Sequence, residues 1–513
     1  MEDEKSQKYH VGVVGAGLSG TLTALLLAKL GITVTLFEKR TDFRDKDADS
    51  SSVTASAFGT STSATKRSIN LALSHRGMIA LKEVGALDTI MEHAVRMPCR
   101  VIHSVNAPEV KQAYGKLNEA IWSVSRQLIN STLLDMVTRP GSGVTIHFGH
   151  SFIGSSDDGT CTFRKDDGCA NNSNDSTIVA HKFDLIIGAD GAYSGVRESM
   201  LKKGRVNFSR QYIGHGYKEL SIPAMKINND TSNVTNSSVG TGSSEYEFAL
   251  PSPEGLHIWP RGRFMLIAIP NPDKSFTATL FAPYQGEDGF DAVDPKNEQQ
   301  VIAYFEKHFP DVVPLMPDLV ADYRQNPVGS LITVRTSPWQ LGKVLLLGDA
   351  AHAVVPFYGQ GMNAGFQDGL MLYQIISRHI QSHVSNTAHF DVTGDHRWDL
   401  IACANEFARQ RQPAADALAD LCLEHYSDMA SNTASSWYLL RKKFESMLAD
   451  MFPKRFVPLY TMVAFTDTPY HEAVARAARQ DQLLENIVLS GLSLIGVGMM
   501  GLTYWGSRKW MSQ

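Results

Sequence analysis

The chain has 513 residues, 43% apolar and 20% charged, with a formal net charge of −5 and a pI near 6.4. That length can bury more than one core, so two or three domains are expected, and the composition excludes a disordered or fibrous chain. The mild negative charge excludes a general attraction to nucleic acid.

The first element in the chain is an apolar strand over 11–14, followed by Gly15-Ala16-Gly17-Leu18-Ser19-Gly20. An alanine- and leucine-rich helix then runs to Gly31, and "ITVTLFE" alternates as a second strand ending at Glu38. This is the βαβ dinucleotide fingerprint in its required context. Gly15 permits the tight turn, Gly17 admits a pyrophosphate to the helix N-terminus, and Gly20 lets the helix pack on the strand. Glu38, 18 residues after Gly20, suits the ribose hydroxyls and disfavours a 2′-phosphate, so FAD or NAD fits better than NADP here.

Further along, "FDLIIGADGAYSGVR" (183–197) is a buried strand ending at Asp190-Gly191, with Arg197 seven residues after Asp190. Residues 206–335 are strand-rich, and "RFMLIAI" and "FTATLF" are suitable apolar walls for a small molecule. A third strand, "VLLL", ends at Gly348-Asp349. An NAD dehydrogenase has no use for two more acid-tipped strands. A flavin does, because its ribityl hydroxyls need acceptors and its ring must lie on bare backbone. Asp349 then faces the ribityl chain or pyrophosphate, and Pro356, Gly359 and Gly361 let peptide N–H groups reach the pyrimidine edge. A helix starting near Met362-Asn363 aims its positive end at the ring.

Three Ser/Thr/Asn/Gly-rich stretches, 47–65, 166–176 and 228–244, have little to bury and read as surface loops. After about 395 the pattern is helical. The five cysteines (Cys99, Cys161, Cys169, Cys403, Cys422) lack CxxC or zinc spacing, so free thiols in a reducing compartment and no metal are expected. Sequons such as Asn229-Asp230-Thr231 carry no weight beside an N-terminus without a signal peptide. Residues 487–505 are 19 residues without a charge. As a helix they span ~28 Å, near the hydrocarbon thickness of a bilayer, so a C-terminal tail anchor is expected, with a buried core helix as the alternative.

The trio GAGLSG, GADGAYSGVR and LLLGDAAHAVVPFYGQGMN resembles the FAD-dependent aromatic hydroxylases of the para-hydroxybenzoate hydroxylase fold. "RSINLALSHRG", "HGYKELSIP", "LHIWPRGRFMLIAIPNPDKSFTATLF" and "VPLYTMVAFTDTPYHEAV" are similar to the branch that hydroxylates L-kynurenine at its 3-position. The resemblance implies FAD, with NADPH and O2 as co-substrates, transfer of oxygen from a flavin C4a-hydroperoxide, and an outer-mitochondrial-membrane tail with the bulk facing the cytosol. It implies Arg100 and Tyr114 as binders of the substrate carboxylate, Asn363 and Tyr426 as further substrate residues, and Arg126 as a flavin contact. A buried arginine suits a carboxylate because its grip is bidentate and charge-assisted.

The expected cofactor set is therefore Gly15, Gly17, Gly20, Glu38, Arg40, Arg126, Asp190, Asp349, Pro356, Gly359, Gly361, Met362 and Asn363. No acid or base is assigned, since the substrate's amino group already activates its ortho carbon. His352, His215 and His257 read as structural. The expected fold is α/β: a Rossmann-like FAD-binding domain (8–205 and 336–394) interleaved with a β-sheet substrate domain (206–335), then a helical segment (395–486) and the anchor (487–505). The competing readings are a membrane-bound epoxidase, a flavin reductase or oxidase, and a non-catalytic scaffold that keeps FAD for structure.

Overall fold

The computed structural model describes residues 8–44, 70–105, 107–115, 119–165, 177–227, 246–387, 398–431, 447–453, 455–484 and 486. The three expected surface loops and the expected anchor over 487–505 lie outside the described residues. Among the described residues no helix is long and apolar enough to cross a membrane.

The fold is α/β. A six-stranded sheet has the order Gln340–Leu341, Val344–Leu346, Leu185–Gly188, His10–Val14, Thr33–Phe37, Val144–His147, parallel except for the first edge strand. Its central strands are buried on both faces, which is why they read as continuous apolar runs. All three acid- or glycine-tipped strand ends foreseen in the sequence are neighbours here, although more than 300 residues separate the first from the last.

The second sheet has seven strands, in the order Gly329–Ser337, Asn207–Ile222, Phe276–Pro283, Met265–Pro270, Gly255–Pro260, Cys99–Ile102, Val110–Ala113. The last two precede residue 206, because Gly255–Pro260 pairs in parallel with Cys99–Ile102 through Ile258 and Ile102. Side chains alternate across this sheet. Leu220, Trp259, Leu266 and Phe276 pack in one core with Tyr304, Phe305 and Tyr323 from the helices Glu298–His308 and Leu319–Gln325. Tyr217, Ile258, Met265 and Phe281 pack in another with Val354, Val355 and Phe357 of the loop after Asp349. Lys218 belongs to the helix-covered side: its Nζ donates to the carbonyls of Tyr323 (2.8 Å) and Asn326 (2.7 Å), and burial lowers it to about 8.

The 27-residue helix Gly361–Thr387 packs against Leu18–Lys29, His75–Val84 and Leu400–Ser431. A Cβ at Gly365 would lie 2.3 Å from Ser19 Oγ, and one at Gly369 would lie 2.6 Å from Thr23 Oγ1. These two glycines serve helix packing, so not all of the bare backbone over 348–369 answers to a flavin.

Buried Asp368 ties these parts together. Its Oδ2 accepts from the Gly348 N–H (2.9 Å) and lies 2.6 Å from His352 Nε2, while Oδ1 accepts from Arg411 Nε (2.7 Å). Trp339 stacks on His352 at 4.9 Å. His352 is therefore structural, as its place in the sequence suggested. Burial alone would raise the Asp368 carboxyl, but His352 and Arg411 outweigh it and hold the group at about 2. A carboxylate held below its unfolded value of about 3.9 contributes stability that is full above that value and lost as pH falls toward about 2. Asp368→Asn should cost about 3–5 kcal/mol in urea unfolding, because it strands the buried Arg411 charge.

Candidate active site

The strand His10–Val14 ends at Gly15, whose φ of +105° only glycine adopts without strain; a Cβ there would also sit 2.5 Å from the Ala189 carbonyl oxygen. Gly17 is the N-cap of the helix Leu18–Lys29, and a Cβ there would meet nothing within 4 Å. At Gly20 a Cβ would lie 2.0 Å from the Gly15 carbonyl oxygen. The three glycines thus divide into turn, open approach and helix–strand contact. Glu38 is buried at the end of Thr33–Phe37; its Oε2 accepts from the Ala16 N–H (3.0 Å) and its Oε1 from Arg40 Nε (2.8 Å). Arg40 itself is largely exposed.

Asp190 caps the helix Gly195–Lys203. Its Oδ2 accepts from the N–H groups of Gly195 (2.7 Å) and Val196 (3.2 Å), and its Oδ1 is buried with no hydrogen-bond partner among the described residues. Arg197 is wholly buried and donates to the carbonyls of Ala350 and Ala192, both at 2.7 Å. It locks the Asp190 turn to the segment that begins with Asp349. Burial raises the carboxyls of both Asp190 and Asp349, and Arg126 opposes it at Asp349.

Arg126 opens the helix Arg126–Thr138 and keeps accessible surface although protein surrounds it, so it faces a recess. Burial lowers it, and Asp349 and Glu219 oppose that shift. Glu219, which sequence reasoning did not single out, has a buried Oε1 without a hydrogen-bond partner among the described residues; burial pushes it up to about 7 against the pull of Arg126. Strand alternation was the available signal, since Glu219 shares a face with Tyr217.

The loop after Asp349 forms a short 3-10 turn, Pro356–Tyr358, closed by Gly359 at φ +66°, and the long helix starts at Gly361. Its first-turn N–H groups, at Gly361, Met362 and Asn363, include donors without intrahelical partners. The Asn363 side chain is already committed: Nδ2 donates to the carbonyls of Ala72 (2.8 Å) and Gly359 (2.9 Å), and Oδ1 accepts from the Ser74 N–H (2.9 Å). It staples the loop to strand Asn70–Leu73 and has no spare amide group for a substrate.

A second cluster surrounds Arg100, on the strand Cys99–Ile102. Its guanidinium lies 4.9 Å from the Tyr460 ring centroid and 5.2 Å from that of Tyr114, and one terminal nitrogen is 3.1 Å from His425 Nε2. Arginine offers no acceptor, so His425 must accept there, which places its proton on Nδ1. Tyr114 and Tyr460 stack at 5.0 Å, Tyr460 stacks on Tyr358 at 5.5 Å, and Tyr358 meets His425 at 4.6 Å. Burial raises the Tyr114 phenol, and Tyr460 adds to the shift.

Of the residues that the resemblance implied for the substrate, Arg100 and Tyr114 lie in this cluster, together with His425 and Tyr460, which the sequence had not singled out. Tyr426, implied by the same resemblance, lies apart from Arg100: it donates to the Arg263 carbonyl (3.0 Å) and packs on Phe357 at 4.3 Å. Successive helical residues point ~100° apart, so His425 faces Arg100 and its neighbour does not. "VPLYTMVAFTDTPYHEAV" contains Tyr460, but nothing local distinguishes it from a packing tyrosine.

The two clusters meet through the 356–358 turn, with Tyr358 on the Arg100 side and Phe357 against the sheet. An open approach at Gly17, an orphaned Asp190 oxygen and the Arg126 recess all fit a dinucleotide such as FAD. Gly17→Ala should fold with unchanged apoprotein melting but bind FAD at least about ten-fold more weakly, ~1.4 kcal/mol. Gly20→Ala should lower the melting temperature even without FAD. Flavin content and apoprotein melts separate the two.

Comparison with known proteins places these clusters in context. The FAD binding domain family matches residues 59–389, and an NAD(P)-binding Rossmann-like domain matches 13–46. The chain is 36% identical over 486 residues to a kynurenine 3-monooxygenase of Flavobacterium psychrophilum, covering 94% of each. It is 37% identical to that of Dictyostelium discoideum, covering 93% of each, and 35% identical to that of Candida albicans, covering 99% of this chain and 100% of the other. Among solved structures, the tetrameric form of 2-methyl-3-hydroxypyridine-5-carboxylic acid oxygenase superposes with a TM-score of 0.57 at 18% identity, over 85% of this chain and 96% of that one. A single-residue variant of Klebsiella pneumoniae HpxO complexed with FAD gives 0.57 at 16%, over 86% and 97%. These two likenesses concern the fold alone.

Proposed function

The chain belongs to the kynurenine 3-monooxygenase family of FAD-dependent hydroxylases, and from that membership we propose how its residues divide the work. The reaction is hydroxylation of L-kynurenine to 3-hydroxy-L-kynurenine, with NADPH as reductant. Bound FAD supplies the redox chemistry, activating O2 for transfer of one oxygen atom to the ring.

The chain's own residues bind, orient and keep water out. Gly17 and the N-terminus of Leu18–Lys29 receive the pyrophosphate, and Glu38, with Arg40 beside it, receives the ribose. Asp349 and Arg126 line the ribityl chain, while Asp190 holds the turn beside it. Pro356, Gly359, Gly361 and Met362 present backbone to the ring, and Asn363 acts through its staple on that loop.

The cage of Arg100, Tyr114, Tyr460 and His425 receives the substrate. Arg100 grips the carboxylate, with His425 orienting the guanidinium from the far side and two tyrosine rings covering it from water. The single observation that carries this assignment is a buried arginine flanked by tyrosines and steered by a histidine, beside the flavin loop. Once held there, the aniline ring reaches past Tyr358 toward the loop. No acid or base is required, because the ring amino group activates the carbon that is attacked; positioning and dryness supply the rest. Tyr426 lines the wall beside Phe357.

The FAD domain is proposed as 8–205 with 336–394, the sheet domain as 206–335 joined by the strands around Arg100, and 395–486 as the helical cover. Residues 487–505 are proposed to tether the enzyme to the mitochondrial outer membrane, on the strength of their uncharged run.

NADPH oxidation by the flavin-loaded protein should rise on adding L-kynurenine, with 3-hydroxykynurenine formed in step. Peroxide without hydroxylated product would remove kynurenine as substrate. Arg100→Ala should raise the KM for kynurenine by the equivalent of about 2–5 kcal/mol, and Arg100→Lys should not restore it. Deleting 487–513 should release the protein from membranes into the soluble fraction, as fractionation would report.

A further inference from the structure

The chain has one dinucleotide fingerprint, at 15–20, and the FAD occupies it, so NADPH must dock elsewhere. One surface of the described residues has the chemistry for it. The turn after Asp190 carries Tyr193, which is 45% exposed, and the strand Asn207–Ile222 carries Tyr212, which is 55% exposed. Their hydroxyls are 3.1 Å apart. Arg210 packs against the first of them, its guanidinium 4.5 Å from the Tyr193 ring centroid and 5.4 Å from that of Phe208. Arg210 Nε is buried with no hydrogen-bond partner among the described residues.

An arginine laid flat on a ring keeps its in-plane N–H groups for a bidentate anion, and phosphate is the anion that fits that fork. The two partly exposed tyrosine side chains offer aromatic surface for a planar base. The position is also suited to delivering a reductant. Arg197, behind Phe208 at 4.4 Å, clamps the Tyr193 turn to Ala350, next to Asp349. The strand breaks register between Tyr212 and Gly216, a bulge of the kind that re-aims side chains beside sites. Beyond it, the same strand continues to Tyr217 and Glu219 on the flavin side; at ~3.3 Å per residue, Tyr212 and Tyr217 are about 17 Å apart. An extended dinucleotide covers such a distance.

We propose that Tyr193, Arg210 and Tyr212 dock the adenosine half of NADPH, with Arg210 on a phosphate and the tyrosines against the base. This rests on the monooxygenase reading above, and the test separates the two. The flavin-loaded wild type, Arg210→Gln, Arg210→Lys and Tyr193→Ala are compared in two assays: steady-state NADPH oxidation at saturating L-kynurenine, and NADP+ binding by equilibrium dialysis.

Arg210→Gln should raise both the KM for NADPH and the Kd for NADP+ at least about ten-fold, the loss expected for a hydrogen bond to a charged group. Arg210→Lys should recover part of that loss. Kynurenine KM and flavin content should stay as in the wild type. An equal loss with NADH puts Arg210 on the pyrophosphate; a loss with NADPH alone puts it on the 2′-phosphate. Unchanged NADPH KM and NADP+ Kd in both Arg210→Gln and Tyr193→Ala would overturn the site. A wild type whose NADPH oxidation ignores kynurenine would instead overturn the substrate assignment, while the dialysis result still decides the docking site.

Discussion

One buried carboxylate organises the flavin half of this molecule. Asp368 projects from the helix Gly361–Thr387 and receives the Gly348 N–H, His352 and Arg411 at once. It thereby fixes the end of strand Val344–Leu346, the short turn carrying Asp349, and the helix Leu400–Ser431 relative to one another. An anion this deeply buried is tolerated only because three hydrogen-bonding partners, one of them the Arg411 cation, meet it with short contacts. The same helix begins at Gly361 and so carries the flavin-facing backbone. Its Gly365 and Gly369 let it close on Leu18–Lys29, the helix that follows the glycine-rich turn. The two ends of the cofactor site are therefore set by a single packed unit.

Around that unit the charged groups are laid out by ligand. Acids (Glu38, Asp190, Asp349) stand at strand ends where hydroxyl groups need acceptors. Three cations have distinct surroundings: Arg100 among tyrosine rings, Arg126 near Asp349 and Glu219, and Arg210 against Tyr193 and Phe208. Each acid is steadied by backbone donors or by an arginine, and each arginine by ring faces or a neighbouring acid or histidine. These arginines stand in a molecule whose net charge is itself negative.

Ionisable groups line the seam between the two sheets. On one side are the 356–358 turn and Arg126, on the other the strand with Tyr217 and Glu219. Glu219, held up to about 7, is half-buried without a hydrogen-bond partner for Oε1 among the described residues. The sheet presents this face because its opposite face is covered by Glu298–His308 and Leu319–Gln325, which absorb Lys218 and the large aromatic side chains. Alternation along a single strand thus sends Lys218 to a structural role and its neighbour Glu219 to the functional seam.

What the sequence by itself determined was the local backbone frame of the FAD-binding fold. The glycines at 15, 17 and 20, the acids at 38, 190 and 349, and the bare loop at 356–361 are each local: a turn, a strand end or a helix start is specified by residues adjacent in the chain. The α/β class followed from the same runs. Only the tertiary structure decided which side chains gather around Arg100. Arg100, Tyr114, Tyr358, His425 and Tyr460 come from distant segments, and a tyrosine read alone is equally a packing residue. Tyr426 and His425 are indistinguishable in sequence until helix rotation assigns one to Phe357 and the other to Arg100. Asn363 looks available until its three backbone partners are seen. Backbone geometry is written by neighbours, whereas a cage is written by long-range packing.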